Sequence, residues 1–224
     1  MKKLIALVCA SMLIAFTAHA EKRIGISAAY TMFDSSGTET TKSSDEKNSA
    51  SKDEDVVVPS IFFEIANDSG LALGIDYVPV EAELGASTNA RTDTDTDDAS
   101  DTAGDNKASA ELSDHITIYA LMPLGDTFYL KAGLARATVD TTETLATGTT
   151  YGNEDVDGRM IGFGLNRDLD SGLFFRAEAT YTDYDDVKLN GSFNGNAAGD
   201  SAVRNTVDAD VDATALRISV GKSF

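Results

Sequence analysis

The chain has 224 residues, with 37 acidic against 18 basic side chains and a net charge of −19. That acid excess argues against nucleic acid as a partner, because one polyanion would have to dock on another. The length suits one domain by the usual prior of about 100–200 residues, and no run after Ala20 reaches the roughly 18 apolar residues of a membrane-crossing helix, so a helical membrane protein is excluded.

At the start, Lys2 and Lys3 precede an apolar run from Leu4 to about Ala15, followed by Ala18-His19-Ala20. A basic start, a short hydrophobic stretch and an A-x-A exit make a secretory signal peptide over residues 1–20, with cleavage expected after Ala20 and one domain over residues 21–224. The single cysteine, Cys9, lies in that leader, and Ala6-Leu7-Val8 before it lacks the small residue of a lipoprotein cleavage site. The mature chain is therefore expected to carry no disulfide, no cysteine-based metal site and no thiol nucleophile. Without Lys2 and Lys3 it holds 16 basic and 37 acidic residues, a net charge of −21.

Strand-like segments follow in order. Arg23–Phe33 stands alone. Val57–Ala66 and Leu71–Val78 flank Asn67-Asp68-Ser69-Gly70, and His115–Pro123 and Thr127–Val139 flank Leu124-Gly125-Asp126. Arg159–Asn166 and Leu173–Thr182 flank a turn ending Asp170-Ser171-Gly172, and Ala213–Phe224 closes the chain. Period-2 alternation bounded by Gly, Asn and Asp is the strand signature, and it predicts eight strands. Pro59, Pro79 and Pro123 all fall at strand ends, where a missing backbone donor harms a ladder least.

Between these segments lie four polar blocks, Asp34–Asp55, Glu83–Asp114, Asp140–Asp157 and Asp183–Asp212, with 28 acidic and seven basic residues in total. Their Ser, Thr, Asp, Gly and Asn content does not bury enough apolar surface to order itself, so they read as long loops. Short turns at one end and long polar loops at the other give an eight-stranded antiparallel transmembrane β-barrel with four long acidic loops.

Such a barrel puts apolar residues on the outward parity. The outward sets begin with Ile26, Ala28, Tyr30 and Met32 in the first strand and end with Leu216, Ile218, Val220 and Phe224 in the last. The opposite parity carries Glu64, Asp76, Lys131, Arg176, Glu178 and Arg217, three acids and three bases. The lumen of eight strands is just wide enough for side chains to fill. Buried charges persist only when paired, so an internal ion-pair network that plugs the lumen is expected.

Leu216, Ile218, Val220 and the terminal Phe224 resemble the C-terminal insertion signal of bacterial outer-membrane barrels, although Lys222 stands where an apolar residue is usual. "FYLKAGLARA" at Phe128–Ala137 and "EATYTDYDDV" at Glu178–Val187 are similar to stretches of the small outer-membrane β-barrel domain family, the OmpA/OmpX and opacity-type proteins of the porin family. The resemblance implies an outer-membrane location, insertion by the barrel assembly machinery and contact with outer-membrane lipid and lipopolysaccharide. It implies no cofactor and no one activity. A structural or surface-interaction role is expected, with a narrow porin-like ion channel as the alternative.

Three further groups carry chemical expectations. Arg136 and Arg159 share the outward parity at the loop end of one hairpin, where two guanidiniums suit lipopolysaccharide phosphates. Asp93-Thr94-Asp95-Thr96-Asp97-Asp98 approaches a calcium loop, but Asp98 and Gly104 stand where the EF-hand needs its glycine and its final acid. A solvated acidic loop that attracts divalent cations diffusely, with no defined metal site, is the expectation. His115 beside Ser113 and Asp114 invites a lipid-modifying catalytic reading. A nucleophile needs its base within hydrogen-bond reach, and a rim histidine with no catalytic role is the preferred reading, so the protein is not expected to be an enzyme.

Overall fold

The computed structural model describes residues 20–41, 46–90, 105–145, 150–192 and 205–224, and every regular element in them is a strand. The strands are β1 (Glu21–Thr41), β2 (Glu46–Ala66), β3 (Ala72–Tyr77), β4 (Ala82–Ala90), β5 (Asp105–Leu124), β6 (Phe128–Thr144), β7 (Glu154–Asp168), β8 (Leu173–Tyr184), β9 (Val187–Asn190) and β10 (Thr206–Ser223). They form one antiparallel sheet in which β1 pairs both β2 and β10, so the sheet closes on itself. β4 continues the stave begun by β3, and β9 the one begun by β8, so ten segments make a ring of eight staves. The leader over residues 1–20 lies, but for Ala20, outside the described residues, as does the whole Asp93–Asp98 stretch.

Closure explains the chain end. β1 and β10 pair from Arg23↔Ser223 to Thr40↔Thr206, and Lys22 and Phe224 exchange both backbone hydrogen bonds at 3.0 Å. The Phe224 backbone takes part in the ladder that closes the ring between β1 and β10.

At the other ends of the hairpins the turns are tight. Gly70, Gly125 and Gly172 adopt φ of 81°, 74° and 78°, a region that only glycine enters without steric cost. The Asn67 side chain accepts from the amides of Ser69 and Leu71, which fixes the first turn.

The strands run much further than the sequence implies. β1 and β2 stay paired from Glu21↔Ala66 to Thr41↔Glu46, deep into the first polar block. β5 and β6 likewise pair up to Lys107↔Thr144, and β9 pairs β10 through Val187↔Ala209 and Leu189↔Val207. That last pairing is the one the alternation of Val187–Phe193 against Val207–Val211 suggests, with Phe193 itself outside the described residues. Much of what composition marks as loop is therefore extended hairpin. A ladder already nucleated satisfies each added pair of backbone groups whatever the outer side chain is, so polar composition does not stop it.

Of the two interrupted staves, that of β3 and β4 is the more broken. β3 ends at Tyr77, and the chain passes Pro79 before β4 resumes against β5 alone, with bulges at Glu83/Gly85 and at Ser113/Ile116, where Asp114 has φ of 49°. Proline removes a ladder donor. Among the described residues, β2 has no backbone ladder with β4 above Ile61, and this seam is bridged by side chains: Ser35 Oγ donates to the Leu84 carbonyl, and the Lys52 stem packs over Gly85.

Candidate functional site: a filled lumen beneath an apolar chamber

The outer face carries an apolar belt, from Ile24 and Ile26 on β1 to Leu216, Ile218 and Val220 on β10, with Ile218 69 % exposed. On β1 it runs from Ile24 to Met32; nine residues at about 3.4 Å each and a tilt of about 40° rise roughly 23 Å, near the height of a hydrocarbon layer. Tyrosines mark its upper edge, where the Tyr30 hydroxyl donates to Asp55 and the Tyr181 hydroxyl to Asp212. Phenylalanines lie toward the lower edge, where Phe128 and Phe163 stack at 5.5 Å. Leu216, Ile218, Val220 and Phe224 all face outward.

Inside the belt the six charged residues come together in three pairs. Arg176 on β8 donates to both carboxylate oxygens of Glu64 on β2, at 2.5 and 2.7 Å, with the Tyr119 hydroxyl as a further donor to Glu64 at 2.7 Å. Lys131 on β6 donates to Glu178 on β8 at 3.0 Å. Arg217 on β10 donates to Asp76 on β3 at 2.6 Å, and Ser60 donates to the same oxygen at 2.9 Å. Aromatic rings fill the space left: the Arg176 guanidinium lies 4.5 Å from the centre of the Phe174 ring, and the Lys131 amine 4.1 Å from that of Tyr119. These rings fit because glycines face them. A Cβ on Gly74 would stand 2.4 Å from the Tyr119 ring, and one on Gly221 2.2 Å from that of Phe174. The sequence reading missed Ser60, Asn166, Phe62, Phe174 and Tyr129 as parts of this layer, although each has the parity of a charge it touches or flanks.

Above the belt the two faces exchange character. On β10 Asp208, Asp210 and Asp212 take the outer parity while Val207, Ala209 and Val211 turn inward, and on β9 Lys188 points out between Val187 and Leu189. Phe33, Val58, Val78, Leu84, Leu112, Val139, Val156, Val187, Leu189 and Val211 belong to one apolar cluster there. Its lower part, with Phe33, Leu112 and Tyr184, borders a small cavity of about 60 Å³ that reaches Arg217 of the charged layer. Its upper part surrounds an open chamber of about 600 Å³ lined by Leu84, Val139, Val187, Leu189, Val207 and Val211, with serines and Tyr151 nearer the mouth. The signal was present in the sequence as alternation continuing past the apolar belt with acids on the other parity.

The remaining candidates are placed as follows. Arg136 donates to Asp155 at 2.6 Å and to Asp157 at 3.2 Å, and Arg159 lies 3.4 Å from Asp185, so any lipid phosphate at these guanidiniums must displace a carboxylate. The Arg136 guanidinium holds the Asp155 carboxyl below the usual carboxylate value, chiefly through that hydrogen bond. A depressed carboxyl contributes only above its unfolded pKa and is lost on acidification. An NMR titration should therefore place the Asp155 midpoint below 3.8 at low salt and nearer to it at high salt. Ser113 donates to Asp140 on β6, whereas His115 Nε2 meets the Tyr184 hydroxyl at 2.9 Å. The bulge between them turns the two side chains to different partners, so they form no nucleophile–base pair. Among the described residues no three His, Cys, Asp or Glu side chains are grouped to hold a metal.

No family model matches the chain, and no curated protein matches its sequence. A solved structure that shares its fold is an outer-membrane protein. OprG of Pseudomonas aeruginosa aligns with a TM-score of 0.59 at 17 % identity, over 92 % of this chain and 96 % of that one. Neisserial surface protein A aligns at 0.40 with 13 % identity over 91 % and 97 %, and Ail of Yersinia pestis, in complex with a heparin analogue, at 0.40 with 9 % identity over 89 % and 99 %. The fold is that of an eight-stranded antiparallel outer-membrane barrel.

Proposed function

We propose that the chain is a bacterial outer-membrane protein with a surface-interaction role, in which the apolar belt anchors, the ion-pair layer closes the lumen, and the chamber above captures small apolar molecules. One observation carries the reading: apolar residues line the interior at a height where the outer face is already polar. Leu84, Leu189 and Val211 are themselves buried, and the apolar cluster they form borders a cavity whose lining suits an apolar occupant. The open mouth is the route in.

The refolded barrel should bind an uncharged fluorescent naphthylamine dye saturably, and Val211→Trp, which fills the chamber, should abolish the signal. Loss of saturation in the native chain, or an unchanged signal in the variant, would sink the reading. In planar bilayers the protein should show no persistent openings, because three neutralised pairs leave no continuous water path. Openings that vanish in Lys131→Met would instead make the charged layer a gate.

Outside the chamber, Asp53, Asp34, Asp212 and Asp183 occupy directly paired positions on four successive strands. Like charges opposite one another destabilise a sheet. Millimolar Ca²⁺ should therefore raise the unfolding temperature of the refolded barrel, and Asp34→Asn/Asp212→Asn should remove most of that increment. An equal increment in the variant would exclude the row as the place where divalent cations act.

A further inference from the structure

Given the chamber as the binding site, its charged lining narrows the ligand. We infer that the chamber takes a small hydrophobic cation, an apolar body carrying one protonated amine. The charged side chains that line it are Glu39, Glu143 and Lys52. The Lys52 amine lies 3.6 Å from Glu54, so its charge is already offset. Glu39 lies near the end of β1 and Glu143 near the end of β6, and both are held against Tyr151, which precedes β7. The Tyr151 hydroxyl donates to Glu39, and the Tyr151 amide donates to Glu143 at 3.4 Å. The Asn205 side chain also donates to Glu39. All three donors are neutral, and among the described residues no Lys, Arg or His comes within ion-pair distance of either carboxylate.

A carboxylate accepts at about four positions, so both retain room for further donors. An ammonium supplies three. The geometry therefore joins an apolar floor, built from Val187, Leu189 and Val211, to an anionic rim with a tyrosine ring beside it, where a cation gains a π face as well as two carboxylates. Each alternative class meets an obstacle. A carboxylate or phosphate ligand enters against the net charge of the extramembrane region and, among the described residues that line the chamber, finds only Lys52. A neutral apolar ligand covers Glu39 and Glu143 without replacing the water they lose, and burying a charge unpaired is costly. The acid-rich blocks also raise the local concentration of cations at the mouth, an effect that added salt screens over a Debye length of about 10 Å at 0.1 M.

The test uses the refolded full-length barrel in nanodiscs of zwitterionic phosphatidylcholine and three probes with one body: phenylbutylamine, phenylbutanol and phenylbutanoate, titrated by calorimetry. The amine should bind about tenfold tighter than the alcohol, as expected for a charge-assisted hydrogen bond added to the same burial. The carboxylate should bind weakest. Glu39→Gln/Glu143→Gln should bring the amine down to the alcohol and leave the alcohol unchanged. Glu143→Gln alone keeps the Glu39–Tyr151 contact and should remove part of the amine's advantage should the double variant not refold. Equal binding of amine and alcohol in the native protein, or an advantage that survives both variants, overturns the cation assignment and leaves the chamber standing. Failure of all three probes to bind overturns the chamber reading together with it.

Discussion

Glu64→Gln is expected to lower the unfolding free energy of the refolded barrel by about 3–5 kcal/mol, the usual cost of stranding one partner of a buried ion pair. Glu64 is fully buried, with 0 % exposure, and it is the acceptor for both arms of the Arg176 guanidinium and for the Tyr119 hydroxyl. The glutamine keeps the volume and one acceptor oxygen, but it cannot neutralise the guanidinium. Arg176 itself cannot shed its proton or reach water from between the Phe62, Tyr129 and Phe174 rings. The stranded charge, more than the lost hydrogen bonds, sets the size of the effect. It follows that Glu64→Gln/Arg176→Met should recover most of the loss, since no charge remains to be solvated. Urea unfolding in lipid vesicles followed by tryptophan-free far-ultraviolet dichroism measures all three proteins. A single-variant loss below about 1 kcal/mol, typical of a solvated pair, would mean that water reaches the layer.

The second large effect concerns Phe174, which is 0 % exposed and lies against Gly221 on the neighbouring strand. Phe174→Ala should cost about 3–5 kcal/mol through the cavity it leaves and the lost face under Arg176. Gly221→Ala should cost about 1–3 kcal/mol for the opposite reason, overpacking. Its new methyl group would stand 2.2 Å from Phe174 Cζ and 2.8 Å from the carbonyl oxygen of Ile24. Neither strand can give way, because β10 is laddered on both sides, to β1 and to β8. In the Phe174→Ala background the ring clash is gone, so the same alanine should cost clearly less. Additive costs would show that the carbonyl contact, and not the ring, makes Gly221 obligatory, since contacting sites couple and independent ones add.

How much of this was legible can be read from β10. Leu216, Ile218 and Val220 alternate with Arg217, Ser219 and Gly221, which already separates an apolar face from a polar one. The six interior charges could be named from parity because side chains in a strand can point only two ways. Their partners could not. Glu64 and Arg176 are 112 residues apart, and which acid meets which base depends on the shear of the closed sheet. The rim arginines show the same boundary: their level was readable, but the carboxylates of Asp155, Asp157 and Asp185 that occupy them were not. The polar blocks were misjudged in extent for a related reason. Composition reports what side chains do in water, whereas the ladder from Asp34↔Asp53 to Thr41↔Glu46 is held by backbone groups.

The chamber marks the division most clearly. By itself the sequence determined the strands, their two faces, the apolar belt and the presence of equal and opposite charges inside, because each of these is a local consequence of period-2 alternation. Only the closed ring decided that Val187, Leu189, Val211, Leu84 and Val139, drawn from four strands, would surround one space, and that Glu39 and Glu143 would meet at Tyr151 on its rim. Alternation fixes the side toward which a residue points. What stands across from it is set by strand order, stagger and closure, which are properties of the whole sheet.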